Sequence, residues 1–128
     1  MKVESIKFKA KRLDNGEWII GSLIRSTAGV KERAYIVDNF SSMSDYSIVG
    51  VDPSSVCQFT GLKDEDENDI FEGDLLAEKR FPMYEVGYVN SEFAASYIGE
   101  NTFIFKLPAL SKGCVVCGSI YDRKEGEK

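Results

Sequence analysis

An acidic run at residues 63–69 holds the side chains with the clearest potential for metal chemistry. Asp64, Asp66 and Asn68 have the spacing of the first three ligands of an EF-hand loop, and their oxygen atoms suit Ca²⁺. The sixth position of that loop, however, holds an aspartate where the sharp turn needs glycine, and the twelfth holds a leucine where a bidentate glutamate is needed. The run therefore indicates a solvated hairpin tip, and we assign no metal ligand to it.

Cys114 and Cys117 form a C-x-x-C pair, the spacing used by zinc sites and redox motifs. The chain has three cysteines and no histidine, so a four-ligand zinc site would need a carboxylate or a second chain. The surrounding segment alternates like a strand, which places residues three apart on opposite faces. We interpret both thiols, together with Cys57, as small, reduced and buried side chains.

The chain contains no recognisable catalytic motif. Without histidine, a general base would have to be a carboxylate, a lysine or a tyrosine, and paired carboxylates need a dry cleft to act as acid and base. No serine or cysteine lies in a nucleophile motif, and Ser111-Lys112-Gly113 lacks the upstream glycine of a phosphate-binding loop. We expect a protein that is not an enzyme and that uses no cofactor.

A basic row near the N-terminus is the first candidate binding site. Its lysines alternate with apolar residues, so a strand would bury one face and display the lysines on the other. The residues that would contact a nucleic-acid backbone are Lys7, Lys9, Lys11 and Arg12. On an exposed edge strand, the same lysines would instead prevent edge-to-edge aggregation.

Charge is divided unevenly along the chain. Residues 1–34 hold eight Lys and Arg against four Asp and Glu, and the remainder holds eight against seventeen. The net charge of −5 repels a polyanion at long range, whereas a basic and an acidic end fit head-to-tail self-association. We therefore predict protein binding or self-assembly, with nucleic-acid binding as the alternative.

Alternating apolar residues and turn signals predict a chain built mainly of β-strands. Asn15-Gly16 between two such segments predicts a hairpin, and the segment 52–55 predicts a turn or a single helical turn. The polar stretch 38–46 predicts a mobile loop. Strands are predicted at 6–11, 18–24, 34–37, 48–51, 56–60, 74–80, 83–90, 93–98, 102–107 and 115–121.

The acidic tip and the aromatic residues of the second half form another candidate binding site. The tip has no apolar side chain to bury, so we expect it to project into water. The aromatic residues are interpreted as core, as cross-strand pairs or as an exposed patch. The residues predicted for a partner-binding surface are Asp64, Asp66, Asp69, Tyr84 and Tyr88.

Three segments resemble the YopX family of small phage and prophage proteins, namely KFKAKRLDNGEW (7–18), QFTGLKDEDENDIFEGDLL (58–76) and GSIYD (118–122). That family has no established biochemical activity, so the resemblance implies a phage-derived accessory protein without naming its role. It also implies an SH3-like barrel, which Gly73-Asp74 would open. The family's acidic turn usually contains Asn-Gly. Asp69 replaces that glycine here, which favours a longer or looser loop over the tight two-residue turn.

Taken together, these patterns predict an all-β protein. Residues 1–55 are assigned to an N-terminal β subdomain and residues 56–128 to a small SH3-like barrel with an acidic hairpin. The N-terminal segment has no hydrophobic signal region, and no apolar run reaches the roughly 20 residues that span a bilayer. We expect a cytoplasmic protein with no membrane partner, which forms a homo-oligomer or binds a phage or host protein.

Overall fold

A computed structural model describes residues 2–29, 31–38, 47–79 and 81–122. The predicted all-β class is confirmed, because eleven strands, one short α-helix and two short 3₁₀ helices make up the described elements. The chain divides into two compact units, Met1–Phe59 and Thr60–Lys128. The boundary predicted after residue 55 lies on the N-terminal side of this division. The predicted loop at 38–46 lies, apart from its first residue, outside the described residues.

The first unit is built from the strands β1 (Phe8–Lys11), β2 (Trp18–Ser26), β3 (Arg33–Asp38), β4 (Ile48–Val51) and β5 (Cys57–Lys63). They form an antiparallel sheet in the order β4-β3-β2-β1-β5, and β5 continues into the second unit. The turns follow the predicted signals. Gly16 adopts a φ of +73° in the β1–β2 turn, and the Asp52 side chain accepts a hydrogen bond from the backbone N–H of Ser54 at a 3₁₀ turn.

One face of this first sheet carries the core of the unit. Residues that face each other across paired strands share a face, and the pairs Ala10↔Ile19 and Leu23↔Ile36 define the covered side. Buried Ala10, Ala34, Ile36 and Val51 form the cluster, with Phe8, Ile19, Leu23 and Val56 packed against it. The lysines of β1 therefore lie on the opposite side, as their alternation predicts.

The position of β1 in the sheet corrects one expectation. β1 pairs with β2 on one side and with β5 on the other, so it is an internal strand. Its lysines cannot act as guards of an exposed edge, because both edges of the strand are hydrogen-bonded. The sequence did not reveal this, since β5 returns from far along the chain to lie beside β1.

The second unit contains β6 (Asp69–Phe71), β7 (Asp74–Glu78), β8 (Phe81–Val89), β9 (Glu92–Tyr97), β10 (Phe105–Lys106), α1 (Leu107–Ser111) and β11 (Val115–Ser119). Five of these strands form an antiparallel sheet in the order β10-β9-β8-β7-β11, and the end of β5 forms a hairpin with β6. In the described part of the chain no pairing joins β10 to β11, so the sheet is open and the predicted closed SH3-like barrel is not formed.

The core of the second unit lies between one face of this second sheet and the hairpin and helix. Gly73 adopts a φ of +85° and Asp74 then opens β7, so the predicted Gly-Asp strand start is confirmed. The residues buried in this core are Ile70, Leu76, Tyr84, Val86, Ala95, Leu107 and Cys114.

A segment of the same chain covers part of the other face of the second sheet. A Cβ atom placed on Gly87 would lie 2.5 Å from the Phe103 ring, so the phenyl group packs directly on the strand. Ala94 is paired with Gly87 and is only 3% exposed. The backbone N–H of Thr102 donates to Ser96 Oγ at 3.1 Å, which fixes the segment in place.

The strand predicted at 102–107 is largely wrong for the same reason. Only Phe105–Lys106 pair with β9, because the residues before them leave the sheet and cross its face. The helix Leu107–Ser111 was missed, although Pro108 lies in its first turn, where a missing N–H costs nothing. None of the described helices has the length and apolar content needed to cross a membrane.

Candidate functional site on the first sheet

The face of the first sheet that points away from its core combines basic, aromatic and aliphatic side chains. Strand register places them there, because Lys9 pairs with Ile20 and Lys11 with Trp18, and the alternation continues across β3 and β4. We call this surface the outer face. Its larger side chains are Lys7, Lys9, Lys11, Trp18, Ile20, Ile24, Arg33, Tyr35, Val37 and Ile48. On β5, next to the lysines, the same face carries Cys57 and Phe59, which are buried.

The outer face leaves large aliphatic side chains in water. Ile20 and Ile24 are each 42% exposed, and Ile48 is 55% exposed. Tyr35 and Val37 lie beside them and are half-buried. A row of β-branched residues on the solvent side of a sheet is costly to keep hydrated, and contiguous exposed apolar surface marks interaction sites.

The lysines of the outer face lie over aromatic rings. The ammonium groups of Lys9 and Lys11 lie 4.5 and 5.1 Å from the ring centroid of Trp18. Lys7 Nζ lies 4.5 Å from the ring centroid of Phe59. Such contacts contribute about 0.5–1 kcal/mol each at exposed sites. They also occupy ring surface on which a nucleobase would stack.

Arg12, the fourth predicted contact residue, does not join the lysine row. It follows Lys11 in the alternation and therefore lies on the opposite face of the sheet. There it pairs with Val51, a residue of the core. Its guanidinium donates two hydrogen bonds to Asp14, at 2.9 and 2.8 Å. These hydrogen bonds lower the pKa of Asp14 and raise that of Arg12. The structure therefore brings together Lys7, Lys9 and Lys11 and leaves Arg12 apart.

Asp64 in the acidic loop is buried, which corrects the prediction of a projecting carboxylate. Only 4% of Asp64 is exposed. Its oxygens accept hydrogen bonds from the backbone N–H groups of Asp66, Asn68 and Val116 at 2.8 to 2.9 Å. Burial alone would raise the pKa of Asp64, but these hydrogen bonds outweigh it and the pKa is lowered. Asp64 therefore joins the loop to the edge strand β11.

The longer loop predicted from the loss of the glycine is confirmed. Residues 64–68 connect β5 to β6, and the left-handed position in that loop is Glu67, with a φ of +67°. Asp66 is exposed. Asp69 is half-buried and lies 3.6 Å from Lys63 Nζ.

The two tyrosines of the predicted partner-binding surface have different environments. Tyr84 is 6% exposed, its hydroxyl donates to Glu78 at 3.3 Å, and its ring stacks on Tyr97 at 5.6 Å, so it belongs to the core. Burial raises its pKa. Tyr88 is 53% exposed and contacts the Phe93 ring edge to face at 4.8 Å. Asp64 and Tyr84 are therefore removed from the candidate surface.

The three thiols are unbonded to one another. Cys57 and Cys114 are buried as predicted, whereas Cys117 is exposed, which corrects that part of the prediction. Cys117 lies at a bulge, because Val116 pairs with Leu76 and Gly118 pairs with Leu75. Burial raises the pKa of Cys114 and of Cys117, so both remain thiols at neutral pH. Among the described residues no group of three or more His, Cys, Asp or Glu side chains is placed to hold a metal ion.

The aliphatic members of the outer face were missed from sequence. The signal was present in β2, where Trp18, Ile19 and Ile20 follow one another and Leu23 and Ile24 are adjacent. A strand with one buried face needs apolar residues only at every second position. Adjacent apolar pairs in such a strand indicate that its second face is also apolar.

These observations define a small antiparallel β protein of two units, with an apolar and basic sheet face exposed on the first unit. A family model described as YopX protein matches residues 7–125. The chain therefore belongs to the YopX family. No curated protein sequence matches the chain.

Proposed function

We propose that this protein is a non-catalytic accessory protein of phage or prophage origin that binds another protein through the outer face of its first sheet. The carrying observation is the exposure of Ile20, Ile24 and Ile48 on one side of the sheet, next to the basic row. An apolar centre with charged residues at its border is the usual composition of a protein interface.

The aliphatic side chains supply the driving force for such binding. Removing the exposed half of an isoleucine from water is worth about 1 kcal/mol, so three of them together contribute several kcal/mol before association costs. Tyr35 and Trp18 add rigid aromatic surface at the same face, and these residue types are enriched among the strongest contacts in interfaces. The lysines then select a partner with acidic residues around its contact surface.

Nucleic-acid binding is supported less well by the same face. Isoleucine and valine cannot stack with bases, and the Trp18 ring already carries two ammonium groups. The net charge of −5 also opposes association with a polyanion. The three lysines remain the residues through which such binding would occur.

The test removes the aliphatic centre without changing charge. In the double variant Ile20→Ser/Ile24→Ser we expect at least about tenfold weaker binding to a purified protein partner, a second copy included, measured by sedimentation or calorimetry. The matched control is Ile104→Ser, because Ile104 is 69% exposed and belongs to the second unit, so it is not part of the outer face. The Ile104→Ser variant should bind the same partner with the affinity of the unmodified protein.

Titration with labelled single-stranded and duplex DNA and RNA separates the two candidate functions. If the protein binds nucleic acids, binding should depend on salt and should weaken in Lys7→Gln/Lys9→Gln/Lys11→Gln. That result, together with no effect of the isoleucine variant on any protein complex, would overturn protein binding in favour of nucleic-acid binding.

A further inference from the structure

A groove on the second unit has the chemistry that the outer face of the first unit requires. It has a volume of about 550 Å³ and lies along β7, β8 and β11, on the face of the second sheet opposite the core. We call it the acidic groove. Its walls include Leu75, Glu85, Ile98, Cys117, Ile120 and Asp122.

The groove pairs an apolar floor with negative charge. Ile98 and Ile120 are each 43% exposed, and Leu75 of β7 is half-buried. Both charged side chains among the described lining residues, Glu85 and Asp122, are acidic. The surface therefore offers aliphatic contacts bordered by carboxylates.

The two units carry charge of opposite tendency. Residues 1–59 hold eight Lys and Arg against seven Asp and Glu, and residues 60–128 hold eight against fourteen. The charged residues at the outer-face positions of β1 to β4 are all basic, namely Lys9, Lys11 and Arg33, with Lys7 just before β1. The outer face and the acidic groove thus have opposite charge and the same aliphatic character.

We propose that the partner of the outer face is a second copy of this chain, which presents its acidic groove. This inference rests on the proposed function and names its partner. Lys7, Lys9 and Lys11 of one copy face Glu85 and Asp122 of the next, and the exposed isoleucines of the two surfaces pack together. Ile20 pairs directly with Lys9 across the two strands, so charged and aliphatic contacts lie side by side.

The alternative of two identical outer faces packing on each other is disfavoured by charge. Such a two-fold contact would bring two basic faces into one interface with no carboxylate from those strand positions. Contact between different surfaces avoids this repulsion. It is a heterologous contact, so each copy has a free outer face or a free groove until a ring closes or a filament grows.

Charge reversal with rescue is the main test. One variant carries Lys7→Glu/Lys9→Glu/Lys11→Glu and the other carries Glu85→Lys/Asp122→Lys. Each alone should self-associate at least about tenfold more weakly than the unmodified protein in sedimentation velocity. An equimolar mixture should recover association, because each reversed surface then meets a surface of opposite charge. Circular dichroism and urea unfolding show whether each variant is folded.

Cys117 supplies an independent distance test, because it is exposed in the groove. Ile24→Cys should form a disulfide with Cys117 of a second copy when oxidised glutathione accepts the two electrons. Ala28→Cys is the control, since residue 28 is exposed in the turn after β2 and away from the outer face. The additional change Cys117→Ser should abolish the cross-link. If Lys7→Glu/Lys9→Glu/Lys11→Glu does not fold, Lys7→Gln/Lys9→Gln/Lys11→Gln is used in its place. The cross-link then tests the contact between the two surfaces without the charge-reversed lysines.

The outcomes separate this inference from the proposed function. The second copy is overturned as the partner if the unmodified chain stays monomeric. It is also overturned if Glu85→Lys/Asp122→Lys leaves self-association unchanged and Ile24→Cys does not cross-link. The proposed function stands in that case if Ile20→Ser/Ile24→Ser still weakens binding to another purified protein. Outer-face variants that change neither self-association nor binding to a protein overturn both.

Discussion

The two sheets of this protein differ in how far the face opposite the core is covered by other residues of the chain. In the second unit, Phe103 packs on Gly87 and covers part of the outer surface, while Asp64 hydrogen-bonds the edge strand β11 through Val116. In the first unit, Ile20 and Ile24 remain 42% exposed, each on the side of the sheet opposite the core. Unpaired edges and apolar faces favour association.

The difference shows which surfaces the chain satisfies by itself and which it leaves for a partner. In the second unit, Phe103 covers part of one sheet face and Asp64 hydrogen-bonds one sheet edge. The acidic groove is the surface of that sheet that remains exposed. On the outer face of the first unit, by contrast, Ile48 is 55% exposed. If the contacts that cover the second unit are structural, their removal should destabilise it, whereas the exposed residues of the first unit should be replaceable with little loss of stability.

Asp64→Ala should have the largest effect, because it removes the acceptor of three backbone N–H groups in a buried position. We expect a loss of about 3 kcal/mol in the free energy of unfolding. Urea unfolding followed by circular dichroism measures it. Asp66→Ala is the control and should cost less than about 0.5 kcal/mol, because that side chain is exposed. Equal losses in the two variants would contradict the structural role of Asp64.

Acid should remove the same stabilisation. The pKa of Asp64 in the folded protein lies below its ordinary value of 3.8, so the carboxylate stabilises the folded state above pH 3.8. That stabilisation is lost as the pH falls through the folded-state pKa. The stability difference between the unmodified protein and Asp64→Ala should be complete at neutral pH and should shrink below pH 3.8. A difference that grows in acid would mean that the pKa is raised instead.

Phe103→Ala should uncover the face of the second sheet. The side chain is half-buried on Gly87, so we expect a loss of about 2 kcal/mol and faster amide hydrogen exchange in β9. The neighbouring variant Ile104→Ala should cost less than about 0.5 kcal/mol, since Ile104 is 69% exposed. A matching loss in both variants would show that Phe103 does not cover the sheet.

Ile24→Thr should have the smallest effect and tests the first unit directly. Threonine keeps the branched β-carbon that strands favour, and Ile24 has no core to leave, so the loss should stay below about 1 kcal/mol. Ile36→Thr makes the same change on the other face, where Ile36 is fully buried, and should cost at least about 2 kcal/mol. Trp18, the only tryptophan, reports unfolding of this unit by fluorescence. Similar losses in the two variants would show that the outer face is as structural as the core.

Local sequence signals predicted turns and strand starts in both units. Asn15-Gly16 marked the first hairpin, and Gly16 has the positive φ that this turn requires. Gly73-Asp74 marked the start of β7. These signals succeed because turn geometry and period-two alternation depend on residues only a few positions apart.

The candidate site was predicted only in part, because it is assembled from four strands. The lysine row was visible in the alternation of Lys7, Lys9 and Lys11, but its aliphatic neighbours come from other strands. The prediction that Asp64 projects into water failed because its third donor, Val116, lies 52 positions away in the sequence. Tyr84 was misplaced for a similar reason, since its ring partner Tyr97 comes from the neighbouring strand.

The sequence by itself determined the all-β class, most strands and turns, the separation of basic from apolar residues along β1 and the uneven distribution of charge. These properties follow from residue type and short-range spacing. The tertiary structure decided that β1 is an internal strand, that the second sheet stays open, that Phe103 covers one face and that Ile20, Ile24 and Ile48 share another. Strand order, register and burial depend on contacts between distant segments, and no local pattern specifies which distant segment will pair.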